Sequence, residues 1–268
     1  PSATPALSAT PTPVAQTVSI SAVGDLMCHN RQLKSAWNAN EQSYSFDDYY
    51  TYIAPYIQAS DFAFGNLETV LEAPGASYSG FPHFNSPKSF SAALQAAGFD
   101  LLTAANNHIY DHGFPGITST LQTLSEQQIP CVGIHADRNE PSVQLQSVQG
   151  FSVCVLAYTQ HANQRPAASH AFAVNMYSEE KAKADIQAAR QQGADIVIVS
   201  LHWGAEYSRT PSQTAMAQAR MLLQSGADAV IGSHPHVLQP MEWVEWTDES
   251  GQSHRGLVAY SLGNFIHN

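Results

Sequence analysis

Five apolar runs in this chain end in side chains that bind cations. They are Val23-Gly24-Asp25, the run before Gly65-Asn66-Leu67-Glu68, Leu101–Ala105 before Asn106-Asn107-His108, Ile196–Leu201 before His202, and Ala227–Gly232 before Ser233-His234-Pro235-His236. Carboxylate, amide and imidazole together suit Zn, Mn or Fe. The candidate metal ligands are Asp25, Asn66, Glu68, Asn107, His202, His234 and His236. Such a set can hold one divalent ion or two, the latter about 3.5–4 Å apart and bridged by a carboxylate. A centre of this kind generates hydroxide near neutral pH and clamps an oxyanion. A histidine beside it, not ligated, can protonate a leaving group. His108 fits that role, oriented by Asp111 three residues on. Trp203, Glu206, Tyr207 and Asn264 are candidates to line the substrate groove.

Each piece has a plain structural alternative. Asp25 could cap a turn, and Asn, Asp and Gly around residues 106–113 are ordinary turn residues. A lone histidine is usually a satisfied core or surface group. What outweighs these alternatives is the joint occurrence at the ends of successive strands, the edge where open α/β sheets bind ligands. Pro235 restricts the backbone between His234 and His236 and so separates the two imidazoles in a defined way.

The positioning elements follow from periodicity. Val18, Ile20 and Ala22 alternate with serines, a half-buried strand pattern. Phe62–Phe64, Leu101–Ala105, Pro130–Ile134, Asp195–Leu201 and Ala227–Gly232 read as further strands. Residues 143–158 read as a hairpin turning at Gln149-Gly150, which argues against a purely parallel sheet. The tail adds strands over 241–246 and 256–261 around a turn at 248–251. Helices are expected over 46–58 (disturbed by Pro55), 89–97 with Gly98 as its stop, after Pro115, from Ser178 to Gly193, and from Ser212 to Gln224. The Gly, Pro and Ser-rich residues 72–87 form a long loop of the kind that serves as a lid or binding loop, with His83 at its surface.

Composition narrows the partners. Of 268 residues, 22 are acidic and 11 basic, for a formal net charge of −11. That argues against a nucleic-acid partner, which needs a basic surface, and sits poorly with a bare polyanion. Cys131 and Cys154 lie in apolar runs and read as small buried hydrophobes, and no CxxC occurs. No apolar run reaches the ~18 residues of a membrane span. Residues 1–16, PSATPALSATPTPVAQ, read as a disordered or semi-extended linker, with one folded domain over 17–268. A stalk of this composition implies an extracellular, cell-surface domain anchored to the membrane only through a segment upstream.

The ordered set GDLM, GNLE, NNHIYDHG, HWGAEY, GSHPH and YSLGNF resembles the CapA family, the poly-γ-glutamate capsule biosynthesis proteins, over about residues 18–268. That family is similar in fold to the calcineurin-like metallophosphoesterases. The resemblance implies an α/β fold, a layered αββα sandwich with mixed sheets. It implies that Asp25, Asn107, His202, His234 and His236 are ligands and His108 the general acid. The chain departs from the phosphoesterase pattern at three points. Met27 stands where a histidine ligand is expected, with His29 two residues on; Asn66, with Glu68 nearby, stands at the bridging aspartate; Ile109 follows His108. These departures weaken one of the two metal positions.

Two functions are therefore in competition. One is a metal-dependent hydrolase acting on an ester or amide of a cell-envelope or poly-γ-glutamate-type substrate. The other is a non-catalytic protein that binds, exports or anchors an anionic polymer through the same pocket. A scaffold with a vestigial site ranks third.

Overall fold

Along each strand alternate side chains face opposite sides of the sheet, and here the two sides enter different cores. The computed structural model describes residues 16–266; the linker expected over 1–16 lies outside them, apart from Gln16. In chain order the elements are β1 (Ile20–Leu26), α1 (Asn30–Ala36), the ribbon β2 (Trp37–Asn38) and β3 (Ser43–Tyr44), α2 (Ala54–Ile57), β4 (Phe62–Leu67), β5 (Val70–Leu71), β6 (Asn85–Ser86), α3 (Lys88–Ala97) and β7 (Leu101–Thr103). They continue with α4 (Gly113–Glu126), β8 (Cys131–Val132), β9 (Leu145–Val148), β10 (Phe151–Thr159), α5 (Glu179–Gln191), β11 (Ile196–His202), α6 (Gln213–Gln224), β12 (Ala229–Ser233), β13 (Met241–Thr247) and β14 (Ser253–Ala259).

One sheet is all-parallel, in the order β1-β4-β7-β8. The other runs β13-β14-β12-β11-β10-β9, parallel at its centre and antiparallel at both edges. Val153, Val155 and Ala157 of β10, Ile198 of β11 and Ile231 of β12 meet Phe62, Phe64 and Leu101 of the other sheet. The intervening residues Cys154, Leu156 and Tyr158 pack outward with Ile186 of α5 and Leu222 of α6. Ala63, Leu67 and Leu102 pack outward with Phe90 and Leu94 of α3 and Leu33 of α1. The result is the layered αββα sandwich that the resemblance implied. Leu101 is 1% exposed in the inter-sheet layer, so Leu101→Ala is expected to cost about 2–5 kcal/mol. Chemical denaturation reads it; a loss below about 1 kcal/mol would mean that the layer is not close-packed.

Several local expectations hold. Gln149 and Gly150 both take positive φ, 49° and 87°, in the β9–β10 turn. Gly98 ends α3 at φ 104°, and Ser178 and Ser212 accept from the backbone N–H groups of Lys181 and Ala215 as helix caps. Others do not. The helix expected over 46–58 is broken into a short 3₁₀ turn at Asp47–Tyr50 and the single turn α2, with Pro55 at the start of the latter. Helix α4 begins at Gly113, two residues before Pro115, which sits in the first turn where its missing N–H is harmless. The sequence reasoning missed α1, whose buried face is only Gln32, Leu33 and Ala36.

Candidate metal centre

Asp25 and Asn66 are the penultimate residues of β1 and β4, Glu68 follows β4 directly, and His202 and Ser233 close β11 and β12. Because these strands are parallel within their sheets, their carboxyl ends gather at one edge of the sandwich. His234 and His236 flank Pro235 on the turn after β12, at φ 96° and 58°, and Tyr207 opposite them has φ 61°. Non-glycine residues at such angles cost about 1–3 kcal/mol each and concentrate at functional sites.

Glu68 is the hub. Its Oε1 lies 3.6 Å from His202 Nε2 and 3.8 Å from His236 Nε2. Glu68, His202 and His234 offer ligand atoms within 4.8 Å of one another, as do Asp25, Glu68 and His236, so Glu68 is common to two triads. A third group, Glu206 with His234 and His236, stands at the exposed rim. Glu68 Oε1 and His234 Nδ1 are buried and have no hydrogen-bond partner. Buried polar atoms are nearly always paired, so two such atoms in one cluster of carboxylates and imidazoles fit a divalent cation.

A second layer orients these groups. Asp25 accepts from Asn66 Nδ2 at 2.8 Å and meets His236 Nδ1 at 2.9 Å. Asn264 Oδ1 takes the same His236 Nδ1 at 2.9 Å. Acceptors on both sides place the proton on Nδ1 and turn Nε2 toward Glu68, the arrangement that metal-binding histidines use. Asn264 reaches this position because the chain end pairs with β1: Asp25 N–H donates to Gly263 O at 2.8 Å and Phe265 N–H to Asp25 O at 3.0 Å. A Cβ on Gly24 would fall 1.8 Å from Gly263 O, so glycine there is what admits the segment. His202 is held by Ser233 Oγ at 2.9 Å and by Asn107 Oδ1 at 2.7 Å. Asn264→Ala is expected to weaken divalent-cation affinity about 10–100-fold. Competition with a fluorescent chelator measures this, and an unchanged Kd would mean that Asp25 alone orients His236.

Burial pushes Glu68 well above the usual carboxylate range, with the Asp25 charge adding to the effect. Burial and the neighbouring imidazoles hold His202 well below its ordinary value. Burial lowers His234 to about 4. His236 goes the other way: burial opposes its charge, but the hydrogen bond and charge of Asp25 outweigh that and raise it. Cation binding needs an ionised Glu68 and neutral imidazoles, so protons leave Glu68 and His236, whereas His202 and His234 are neutral beforehand. Apparent affinity therefore rises with pH. Zn²⁺ titration calorimetry near pH 6.5, in buffers of different ionisation heat, is expected to show net proton release; none would contradict the protonated state of Glu68.

The acid–base pair lies on the turn after β7. Asn106 Oδ1 accepts from His108 N–H at 3.1 Å, an Asx-turn, and Asn106 Nδ2 donates to Leu67 O at 2.7 Å, which ties the turn to β4. His108 Nδ1 meets Asp111 Oδ2 at 2.7 Å, with the Asp111 side chain fully buried. Phe84, from the 72–87 loop, packs edge-on to the His108 ring at 4.7 Å, and its N–H donates to Asp111 Oδ2 at 2.8 Å. Asp111 thus holds the Nδ1 proton and leaves Nε2 as the position for proton transfer.

The structure brings Asp25, Asn66, Glu68, Asn107, His202, His234 and His236 together, with His108 and Asp111 beside them. The other expected residues divide. Tyr207 is exposed, its ring 6.2 Å from that of His236. Glu206 stands among possible ligands, and Asn264 is a hydrogen-bond partner of His236. Trp203 does not reach the centre: it is 1% exposed in the outer core and donates to Tyr260 O at 2.9 Å. His29 caps α1 with its ring edge-on to Phe84, and Cys28 is buried with its thiol pushed up to about 12 by burial. Sequence reasoning missed Ser233, Asn163 and His161. Asn163 places its amide 3.5 Å from His108, and His161 packs edge-on to His234 at 4.7 Å. Both follow the end of β10, a parallel strand whose carboxyl end faces the same edge, which is the signal that would have found them.

The chain is 30% identical over 255 residues to the capsule biosynthesis protein CapA of Bacillus anthracis, covering 91% of this chain and 58% of that one. It is 29% identical over 254 residues to the PGA biosynthesis protein CapA of Bacillus subtilis, covering 93% and 63%. The chain therefore spans about three fifths of the length of these relatives. Among solved structures, the 5'-nucleotidase precursor of Thermus thermophilus aligns with a TM-score of 0.39 and 17% identity, over 66% of this chain and 35% of that one. Residues 19–268 match the model of the bacterial capsule synthesis protein family PGA_cap, and the chain belongs to that family.

Proposed function

We propose that this protein is a metal-dependent hydrolase of capsule or poly-γ-glutamate biosynthesis, acting on an ester or amide of a cell-envelope substrate. The observation that carries this reading is the pair of unpartnered buried atoms, Glu68 Oε1 and His234 Nδ1, in a cluster adjoining a His108–Asp111 pair. Glu68, His202, His234, His236 and Asp25 would hold the cation, with the Asn66 and Asn107 amides beside them and Glu206 at the rim. When bound there, a divalent cation would supply hydroxide near neutral pH and Lewis-acid polarisation of a carbonyl or phosphoryl oxygen. Doubly protonated, with its Nδ1–H held by Asp111, His108 would give its Nε2 proton to the leaving group and return to the neutral ring. Tyr207 lies where an incoming substrate would pass His236.

In this reading the domain works outside the cell, anchored through an upstream segment. The Pro, Ala, Ser and Thr composition of residues 1–16 supports that location, and no helix among the described residues is long and apolar enough to cross a membrane. The net charge of −11 favours a neutral or cation-bridged substrate over a bare polyanion. The test is elemental mass spectrometry on protein purified without chelators or metal resins, followed by turnover assays on phosphoesters and γ-glutamyl amides. One or two equivalents of Zn, Mn or Fe with cation-dependent hydrolysis is the expected result. Failure to take up any of these ions would overturn the reading.

A further inference from the structure

We propose that the cavity beside the β2–β3 ribbon is a carbohydrate subsite, separate from the metal centre. The proposal does not rest on the hydrolase reading. The cavity has a volume of about 690 Å³, within the range of small-molecule clefts. None of its lining residues belongs to the metal centre or to the His108–Asp111 pair.

One wall is aromatic. Trp37 and Tyr44 are directly opposed across the ribbon, with ring centroids 5.0 Å apart, and Tyr78 meets Tyr44 edge-on at 5.3 Å. Trp37 remains 45% exposed. Other lining residues are polar. Gln122 Nε2 donates to Glu126 Oε1 at 2.9 Å, which leaves Gln122 Oε1 and Glu126 Oε2 for a ligand. Ser89 Oγ is buried and has no hydrogen-bond partner.

The charges present exclude other ligand classes. Glu72 is engaged, accepting from the Tyr78 hydroxyl at 2.9 and 2.8 Å and from Lys88 N–H at 2.6 Å. Lys88 is the single cation on the lining against Glu72 and Glu126, so a polyanion meets no complementary field. A purely apolar ligand would leave Ser89 Oγ without a partner and desolvate the remaining oxygens of Gln122 and Glu126. A sugar ring satisfies both kinds of lining. Its C–H face packs on the aromatic rings, and its hydroxyls donate to Glu126 and accept from or donate to Ser89.

The subsite is also joined to the metal centre by one loop. Tyr78 lies at the cavity and Phe84, six residues on, covers His108. A glycan held on Tyr78 would thus sit against the loop that supports the acid–base pair, and would keep the domain on the carbohydrate of the envelope.

The test uses the whole chain with chitotetraose and cellotetraose as probes, titrated by calorimetry and by ligand-observed NMR. Binding with a Kd of about 1 mM or tighter to one of these probes is expected. Trp37→Ala and Gln122→Ala should each weaken it about tenfold or more. Both positions are exposed, so circular dichroism and metal content should stay as in the parent. No binding of either oligosaccharide would overturn the proposal, and so would binding that survives both substitutions. Tighter binding of spermidine or of a γ-glutamate oligomer, abolished by Trp37→Ala, would assign the cavity to those ligands instead.

Discussion

Replacing His108 with Ala is expected to abolish hydrolysis while the bound cation stays in place. His108 Nδ1 is taken by Asp111 at 2.7 Å, and His108 belongs to none of the three groups of side chains that converge to hold an ion. Its contribution is proton transfer, worth about 10²–10⁴-fold in rate. Asp111→Asn should lose a comparable factor by another route. An asparagine amide can donate to Nδ1, which holds that nitrogen unprotonated and removes the carboxylate that supports the doubly protonated ring, the form that acts as the acid. The measurement pairs kcat with elemental analysis of the same preparations. If metal and rate fall together, His108 is a ligand. If neither changes, the pair has no part in the reaction and the non-catalytic polymer-binding function gains.

Glu68→Gln is expected to have the largest effect on the cation itself. Glu68 is the one residue common to both buried triads, and its side chain is fully buried. Gln keeps the shape but removes the charge, so cation content should fall to background and both metal positions should be lost together. The stability readout separates this from misfolding. Without a cation, Glu68 must be held protonated, because burial and Asp25 push its pKa up; the neutral amide avoids that demand, so the cation-free variant should melt no lower than the cation-free parent. The increase in Tm on adding Zn²⁺, which reflects binding to the folded state, should vanish. A variant that keeps parent-like affinity would show that Glu68 is not a ligand.

Much of this centre was legible from residue types at strand ends, because a parallel sheet puts those ends on one edge whatever the register. Which group meets which was not legible. His202 ends β11 and Asn107 lies on the turn after β7 of the other sheet, 95 residues away, so their contact depends on how the sheets face each other, which no local pattern encodes. Trp203 shows the limit of reading a motif as a unit. His202 is the last residue of β11 and turns to the centre, and the next side chain turns to the opposite face, into the α5–α6 core. Asn264 is a groove candidate by sequence, but the pairing of residues 263–265 with β1 makes it a support for His236. Helix α1 escaped notice because two apolar residues in seven give little periodic signal, whereas Ser178 and Ser212 marked their helices by chemistry.

The pairing of Asp25 with Gly263 and Asn264 has a consequence for the order of biosynthesis. Domains form from the N-terminus as the chain emerges, and β1 and β4 are available early. His234, His236 and Asn264 come last, more than two hundred positions after Asp25. Until they arrive, Asp25 has no imidazole partner, Glu68 has only His202, and neither group of ligands that shares Glu68 is complete. A cation would therefore be acquired only after residues 234–264 have been delivered, from the pool that surrounds the chain where it folds. The choice of metal is then set by that compartment as much as by the ligands.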